Sequence, residues 1–264
     1  MLIITTGDHE TPGTVQRARE LAKLSNQPYV SRSRTALPKL AERYGDADIL
    51  VILELGVRLH RTGQEPMVFH PSMAFVRAKR LLKGEGDAML EAARVMPGDT
   101  VIDATAGLGS DAMVFSFAVG EKGRVVALED SLPLWALLYE GLQRYTSRIL
   151  PFNEALRRIE ARQMHHLEAL RAMPDDSVDI VYFDPMFRDP IAESSSLSPL
   201  RSFANSNRLD AEAVKEACRV ARKSVVLKEQ KSSGEFDRLG FTPCTRAHSK
   251  IAYGVISLDS NSKT

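Results

Sequence analysis

From residue 87 onward, short apolar runs alternate with segments whose apolar residues recur at helical spacing, and the alternation predicts a chain of strand and helix pairs. Helix Ala88 to Val95 should stop at Pro97-Gly98, strand Thr100 to Ala104 follows, and a glycine turn opens a helix from Asp111 to Ala118. Strand Arg124 to Leu128, a helix from Pro133 to Tyr145, strand Arg158 to Gln163 and helix His166 to Met173 continue the series. Val178 to Phe183 is short and nearly all apolar, as a strand buried on both faces requires. A helix from Ala211 to Ala221, a strand from Ser224 to Lys228 and a final pair, Gly240 to Thr242 and Ile251 to Ser257, complete the pattern. Strands separated by helices imply a doubly wound, mostly parallel α/β sheet of Rossmann-like type, with ligands bound at the carboxyl ends of its strands.

The first 65 residues follow a weaker rhythm. Leu2 to Thr5, Tyr29–Val30 and Asp48 to Glu54 read as strands around a helix from Thr14 to Leu24, which makes residues 1–69 a small α/β module suited to substrate recognition. Residues 70–258 form the main domain and 259–264 a disordered tail. Residues 188–209 are the one long polar stretch, a candidate binding loop after a strand end.

Composition narrows the function classes without choosing one. A chain of 264 residues with 44% hydrophobic and 26% charged residues can bury a large core. Its net charge of +1 hides 13 Lys and Arg against 9 Asp and Glu over residues 1–86, a tilt that suits a polyanion but falls short of a dedicated nucleic-acid binder. Cys218 and Cys244 stand alone, so neither a disulfide framework nor a zinc site is expected, and His60, His70 and His248 lack ligand spacing. The sequence shows neither an export signal nor an apolar stretch near the roughly 20 residues of a membrane helix, so a soluble cytoplasmic protein is expected.

Three segments carry chemistry. In Val101-Ile102-Asp103-Ala104-Thr105-Ala106-Gly107-Leu108-Gly109-Ser110-Asp111, two glycines at a strand-to-helix turn allow close approach of a ligand, and the helix N-terminus offers N–H groups to an anion. Glu129 and Asp130 end the next strand about 20 residues on, where an acid accepts hydrogen bonds from ribose hydroxyls. Asp184-Pro185-Met186-Phe187 ends the buried strand: a carboxylate and a rigid turn can hold an exocyclic amine while the ring of Phe187 stacks on a flat base. An NAD-dependent oxidoreductase would use the same glycine turn and Glu129, although Ala112 stands where its third glycine belongs, and a non-catalytic RNA-binding factor could keep the whole fold.

Together, Asp103 to Asp111 and Asp184 to Phe187 resemble the motifs of class I S-adenosylmethionine-dependent methyltransferases, and within them the small-subunit ribosomal RNA guanine-N2 methyltransferases typified by RsmJ, over roughly residues 70–258. The resemblance implies S-adenosylmethionine as cofactor, held by Asp103, Ala106, Gly107, Gly109, Ser110, Asp111, Glu129, Asp130 and Asp184. It implies ribosomal RNA or the small ribosomal subunit as partner, no metal, and catalysis by Asp184, Pro185 and Phe187. His165 and His166 stand where small polar residues are usual in that family and are candidates for the adenine end. Arg77, Lys79, Arg80 and Lys83, on a helix just before the main domain, are candidates for RNA contact.

Overall fold

The computed structural model describes residues 1–186, 203, 208–244 and 249–258. Its first four strands, β1 (Leu2–Thr6), β2 (Asp48–Leu53), β3 (Gly56–His60) and β4 (Met67–Val68), form one sheet in that order, with only the β1–β2 pair parallel. Helix α1 (Pro12–Leu24) starts with a Thr11–Thr14 capping box and proline in its first turn, and α2 (Leu37–Arg43) precedes β2. Alternation along β1 turns Leu2 and Ile4 toward α1, while Ile3 faces Leu40 of α2 with Ile49 and Val51. The β3–β4 hairpin and α2 were not among the expected elements. Both are short, and α2 carries only Leu40 and Ala41 into the core, too few apolar positions to give a helical period.

Helices α3 (Ser72–Leu82) and α4 (Ala88–Ala93) lead into a seven-stranded sheet. Its strands are β5 (Thr100–Asp103), β6 (Arg124–Glu129), β7 (Ile159–Gln163), β8 (Val178–Phe183), β9 (Ala221–Gln230), β10 (Thr242–Cys244) and β11 (Ile251–Ser257), in the order β10-β11-β9-β8-β5-β6-β7. The five strands β5 to β9 run parallel, and β11 and β10 add antiparallel edges. Strand order therefore reverses between β5 and β8, which opens a crevice at their carboxyl ends. Helices α5 (Ser110–Val119), α6 (Leu132–Arg144) and α7 (Leu150–Arg158) cover one face, and α8 (His166–Arg171), α9 (Ala211–Val220) and α10 (Glu235–Leu239) the other.

Most expected elements appear with ends shifted by a residue or two. Helix α4 stops early because Arg94 turns left-handed at φ 53°. Strand β9 runs well past Ser224–Lys228 because β11 pairs along it as far as Ile251 opposite Gln230. Gly240 caps α10 at φ 77°, so the strand expected at Gly240 to Thr242 begins instead at Thr242. Helix α7, unforeseen, buries Phe152, Ala155 and Leu156 at i, i+3, i+4 spacing behind its proline start.

The two sheets share one core through α6. Leu2, Ile4, Leu50, Ile52, Val57 and Leu59 of the small sheet join Trp135, Leu137, Leu138 and Leu142 of α6 in a single apolar cluster that continues to Val125, Ile180 and Val226 of the large sheet. The ring of Phe69 lies where a Cβ on Gly141 would stand, only 2.0 Å from Phe69 Cγ, so α6 requires glycine at that contact. Arg17 of α1 donates to buried Glu140 of α6 (Nε to Oε1, 2.7 Å) and to the Leu53 carbonyl (2.9 Å). Arg61, the residue after β3, pairs in bidentate fashion with Asp48 and lies over the Phe203 ring, 3.8 Å from its centroid.

Candidate active site

The two-residue period of the strands sorts the central sheet into two faces. Val101 and Asp103, Val125, Ala127 and Glu129, Ile180, Tyr182 and Asp184, and Val226 and Lys228 all belong to the face covered by α3, α5 and α6. Each of these series ends, at its carboxyl terminus, in an ionisable residue. The alternation that makes the strands apolar in their middles thus gathers Asp103, Glu129, Asp184 and Lys228 at one edge, on either side of the switch point.

The β5–α5 turn has the properties of a cofactor cradle. Gly107 has φ 54°, and no heavy atom stands within 4 Å of where its Cβ would be, so the space before it is open. Gly109, at φ 74°, is the N-cap of α5 without a side-chain cap, and a Cβ there would meet Leu138 Cδ1 at 2.7 Å. The first N–H groups of α5 therefore face the turn without intrahelical acceptors. Ala106 is buried and donates its N–H to the Leu128 carbonyl (2.9 Å), while Ser110 is half-buried at the first position of α5. Glu129 is 7% exposed, and its two oxygens accept from Gly107 N and Ser131 N, each at 2.8 Å. Burial pushes its carboxyl up to about 7. The open glycine, uncapped helix terminus and strand-end acid fit the methionine and ribose portions of S-adenosylmethionine.

Asp130 is exposed beside Glu129, and its carbonyl accepts from Gln163. His165 caps α8, its Nδ1 accepting from Leu167 N at 3.2 Å, and stacks on His166 with centroids 4.2 Å apart. His166 turns its ring edge to Phe183, and burial, with the neighbouring His165, lowers its pKa to about 4, so the imidazole is neutral at pH 7. The neutral His166 imidazole, with His165 stacked on it beside the ends of β7 and β8, offers stacking and a hydrogen bond to a flat heterocycle.

At the other side of the switch point lies a chain of charges. The Asp184 backbone N–H donates to Thr105 Oγ1 at 2.6 Å, tying the β8 exit to the β5 turn. Lys228 Nζ donates to Asp184 Oδ2 at 2.7 Å and to Asp111 Oδ2 at 3.0 Å. Asp111 also accepts from Tyr182 OH (2.7 Å) and from Arg77, whose guanidinium holds Asp87 in a bidentate pair (2.7 and 2.8 Å). Against the opposing effect of burial, Lys228 and Arg77 hold the Asp111 carboxyl well below the usual carboxylate range. Burial pushes Asp184 up to about 6, with Lys228 pulling against it and Asp111 adding to it. Asp103, 1% exposed, accepts only from Thr105 N (3.3 Å) among the described residues, and burial raises its carboxyl well above the usual range.

The residues read from the sequence thus separate. Asp103, Ala106, Gly107, Gly109, Ser110, Asp111, Glu129 and Asp184 converge on the crevice, Asp130, His165 and His166 border it, and Pro185 follows Asp184 as a half-buried residue. Phe187 and residues 188–202, 204–207, 245–248 (with His248) and 259–264 lie outside the described residues. The helix expected to present one charged face divides. Arg77 turns inward to Asp87 and Asp111, whereas Lys79 (Nζ 4.5 Å from the Phe75 centroid), Arg80 (paired with Glu85) and Lys83 are exposed. Lys228 and Tyr182 were missed as site residues. The available signal was the lysine closing the apolar run Val225–Leu227, since a charge on a buried strand requires a partner.

Among the described residues no group of His, Cys, Asp and Glu is arranged to hold a metal, and no helix is long and apolar enough to cross a membrane. A family model of SAM-dependent methyltransferases matches residues 42–241. The uncharacterized protein YpiP of Bacillus subtilis is 39% identical over 254 residues, 96% of this chain and 98% of the relative. Ribosomal RNA small subunit methyltransferase J of Shewanella amazonensis is 32% identical over 78% of this chain and 84% of its own length, and that of Dechloromonas aromatica 34% identical over 72% and 80%. In fold, a SAM-dependent methyltransferase from Neisseria gonorrhoeae superposes with a TM-score of 0.64 at 21% identity, covering 97% of this chain and 96% of that one. Cradle, strand order and sequence matches agree, and the chain belongs to the SAM_MT family of S-adenosylmethionine-dependent methyltransferases.

Proposed function

We propose that the protein methylates an exocyclic amine of small-subunit ribosomal RNA, guanine N2, in the cytoplasm. The observation that carries this reading is Asp184: a carboxylate at the β8 exit, one oxygen on Lys228 and its backbone N–H on Thr105 of the β5–α5 turn. The relatives named ribosomal RNA small subunit methyltransferase J support the choice of RNA as acceptor.

S-adenosylmethionine, when bound, supplies a methyl group made electrophilic by the sulfonium charge. The chain's residues do the rest. Glu129 and the α5 N-terminus orient the cofactor, and Asp184 Oδ1 accepts from the amine N–H so that the nitrogen meets the methyl in line. As the N–C bond forms and the S–C bond breaks, releasing a neutral thioether, the nitrogen becomes acidic, and a carboxyl at about 6 is an apt acceptor for the proton it sheds at neutral pH. Pro185 fixes the turn that aims the carboxylate. Exposed Lys79, Arg80 and Lys83 supply phosphate contacts at the flank. A guanine inside a duplex must first be flipped or presented in a loop.

Mass spectrometry of ribosomal RNA nucleosides from cells lacking the protein tests the acceptor: one N2-methylguanosine disappears, and an unchanged inventory refutes it. Asp184→Ala tests the residue. Loss of a preorganised group of this kind costs about 10²–10³ in turnover, with cofactor affinity nearly kept and Asp184→Asn in between. A wild-type single-turnover rate per folded molecule in Asp184→Ala removes the carboxylate from the mechanism.

A further inference from the structure

Lys228 is a cation in the buried part of the crevice, in direct contact with Asp184, that no cofactor contact explains. Its ammonium lies between two carboxylates, 3.0 Å from Asp111 Oδ2 and 2.7 Å from Asp184 Oδ2. On its own strand it stands opposite Tyr253 of β11 and beside Glu229. The groups facing Asp184 are Asp103 on β5, Asp111 on α5, Tyr182 on β8 and Lys228 on β9, with Glu229 adjacent; Tyr253 on β11 faces Lys228 and Asp111, and Arg77 of α3 lies one step behind on the far side of Asp111. Around Asp184 this set contains three buried acids and one direct cation.

We propose that Lys228 is a positioning residue for methyl transfer: it pins Asp184 Oδ2, leaves Oδ1 toward the acceptor, and keeps the carboxylate ionised among Asp103 and Asp111. The inference rests on the assignment of Asp184 as the amine acceptor. Without an adjacent cation, a carboxyl this close to Asp111 takes up a proton at neutral pH and turns from acceptor to donor. Arg77 has a part in the division of labour. By occupying Asp111 Oδ1 together with Asp87, it lets Lys228 serve Asp184 through the shorter of its two bonds. Burial would lower the lysine's own pKa, but the two carboxylates raise it, so the ammonium persists across the working range.

The sign of two substitutions distinguishes this role from packing. Lys228→Met removes the cation and keeps the volume, so the Asp184 pKa rises, by about one to three units on the scale of a lost opposite charge. Asp111→Asn removes a like charge and frees Lys228 for Asp184 alone, so the pKa falls. The measurement is a ¹³C carboxyl titration of the full chain labelled at aspartate Cγ, with Asp184 assigned from Asp184→Asn, beginning from an expected wild-type midpoint of about 6. In parallel, the acid limb of single-turnover methyl transfer into small-subunit ribosomal RNA moves with each midpoint. If Lys228→Met does not fold, the downward shift in Asp111→Asn is still required. An Asp184 midpoint unmoved in both variants, or moved in the opposite sense, overturns the role of Lys228 even where Asp184→Ala is inactive. Midpoints that shift as stated while Asp184→Ala transfers methyl at the wild-type rate overturn the assignment of Asp184 beneath it.

Discussion

Replacing Arg77 with methionine separates an internal clamp from an RNA contact. The Arg77 side chain is 15% exposed, and its partners Asp87 and Asp111 are 11% and 7% exposed, so the triad is largely withdrawn from water. Removing one member of a buried ion pair costs about 3–5 kcal/mol, because the partner charge stays behind. Here the loss belongs at the lower end, about 3 kcal/mol on that scale, since Asp87 keeps the N–H groups of Met89 and Leu90, and Asp111 keeps Tyr182 and Lys228. For a chain of this size such a loss lowers Tm by roughly 6–12 °C. Burial and Arg77 act oppositely on Asp87, and the pairing wins, leaving its pKa depressed. A depressed carboxylate stabilises the fold above its unfolded pKa of about 3.9 and stops doing so as pH falls through the lower folded value. The gap between wild type and Arg77→Met in urea melts is therefore full at pH 7 and closes below pH ~4. A loss under about 1 kcal/mol, the range of exposed pairs, or a gap independent of pH, refutes the clamp.

Glu129 carries a second pH dependence. With its carboxyl raised to about 7, hydroxyl donors on the cofactor favour the ionised form, so calorimetric affinity for S-adenosylmethionine weakens as pH falls below about 7, and Glu129→Gln binds more weakly with a flat profile. An equally pH-dependent Glu129→Gln would assign the effect elsewhere. Neutralising Lys79, Arg80 and Lys83 together should weaken RNA binding and flatten its salt dependence by about 0.7 in log–log slope per lost phosphate contact on single strands, while cofactor affinity is unchanged. An unaltered slope would make this face merely solvated.

What the sequence determined alone follows from periodicity and local backbone chemistry. The apolar runs at β5, β6 and β8 and the helical spacing of α6 and α9 state their element types. Gly107, Gly109, Glu129 and Asp184 could be read as a site because each stands at the end of such a run, where a parallel sheet binds its ligands. The tertiary structure decided what depends on partners far apart in the chain. Arg77 has the sequence context of a solvated helix face, yet α3 packs on α5 and turns it to Asp111, 34 residues away. Lys228 reads as the end of a strand until β8 sets Asp184 beside it. The shared core between the first sheet and α6 is equally invisible locally, because apolar residues do not announce which apolar face they will meet. Periodicity is a property of neighbours along the chain, whereas charge pairing in a crevice is a property of strand order, and only folding supplies that order.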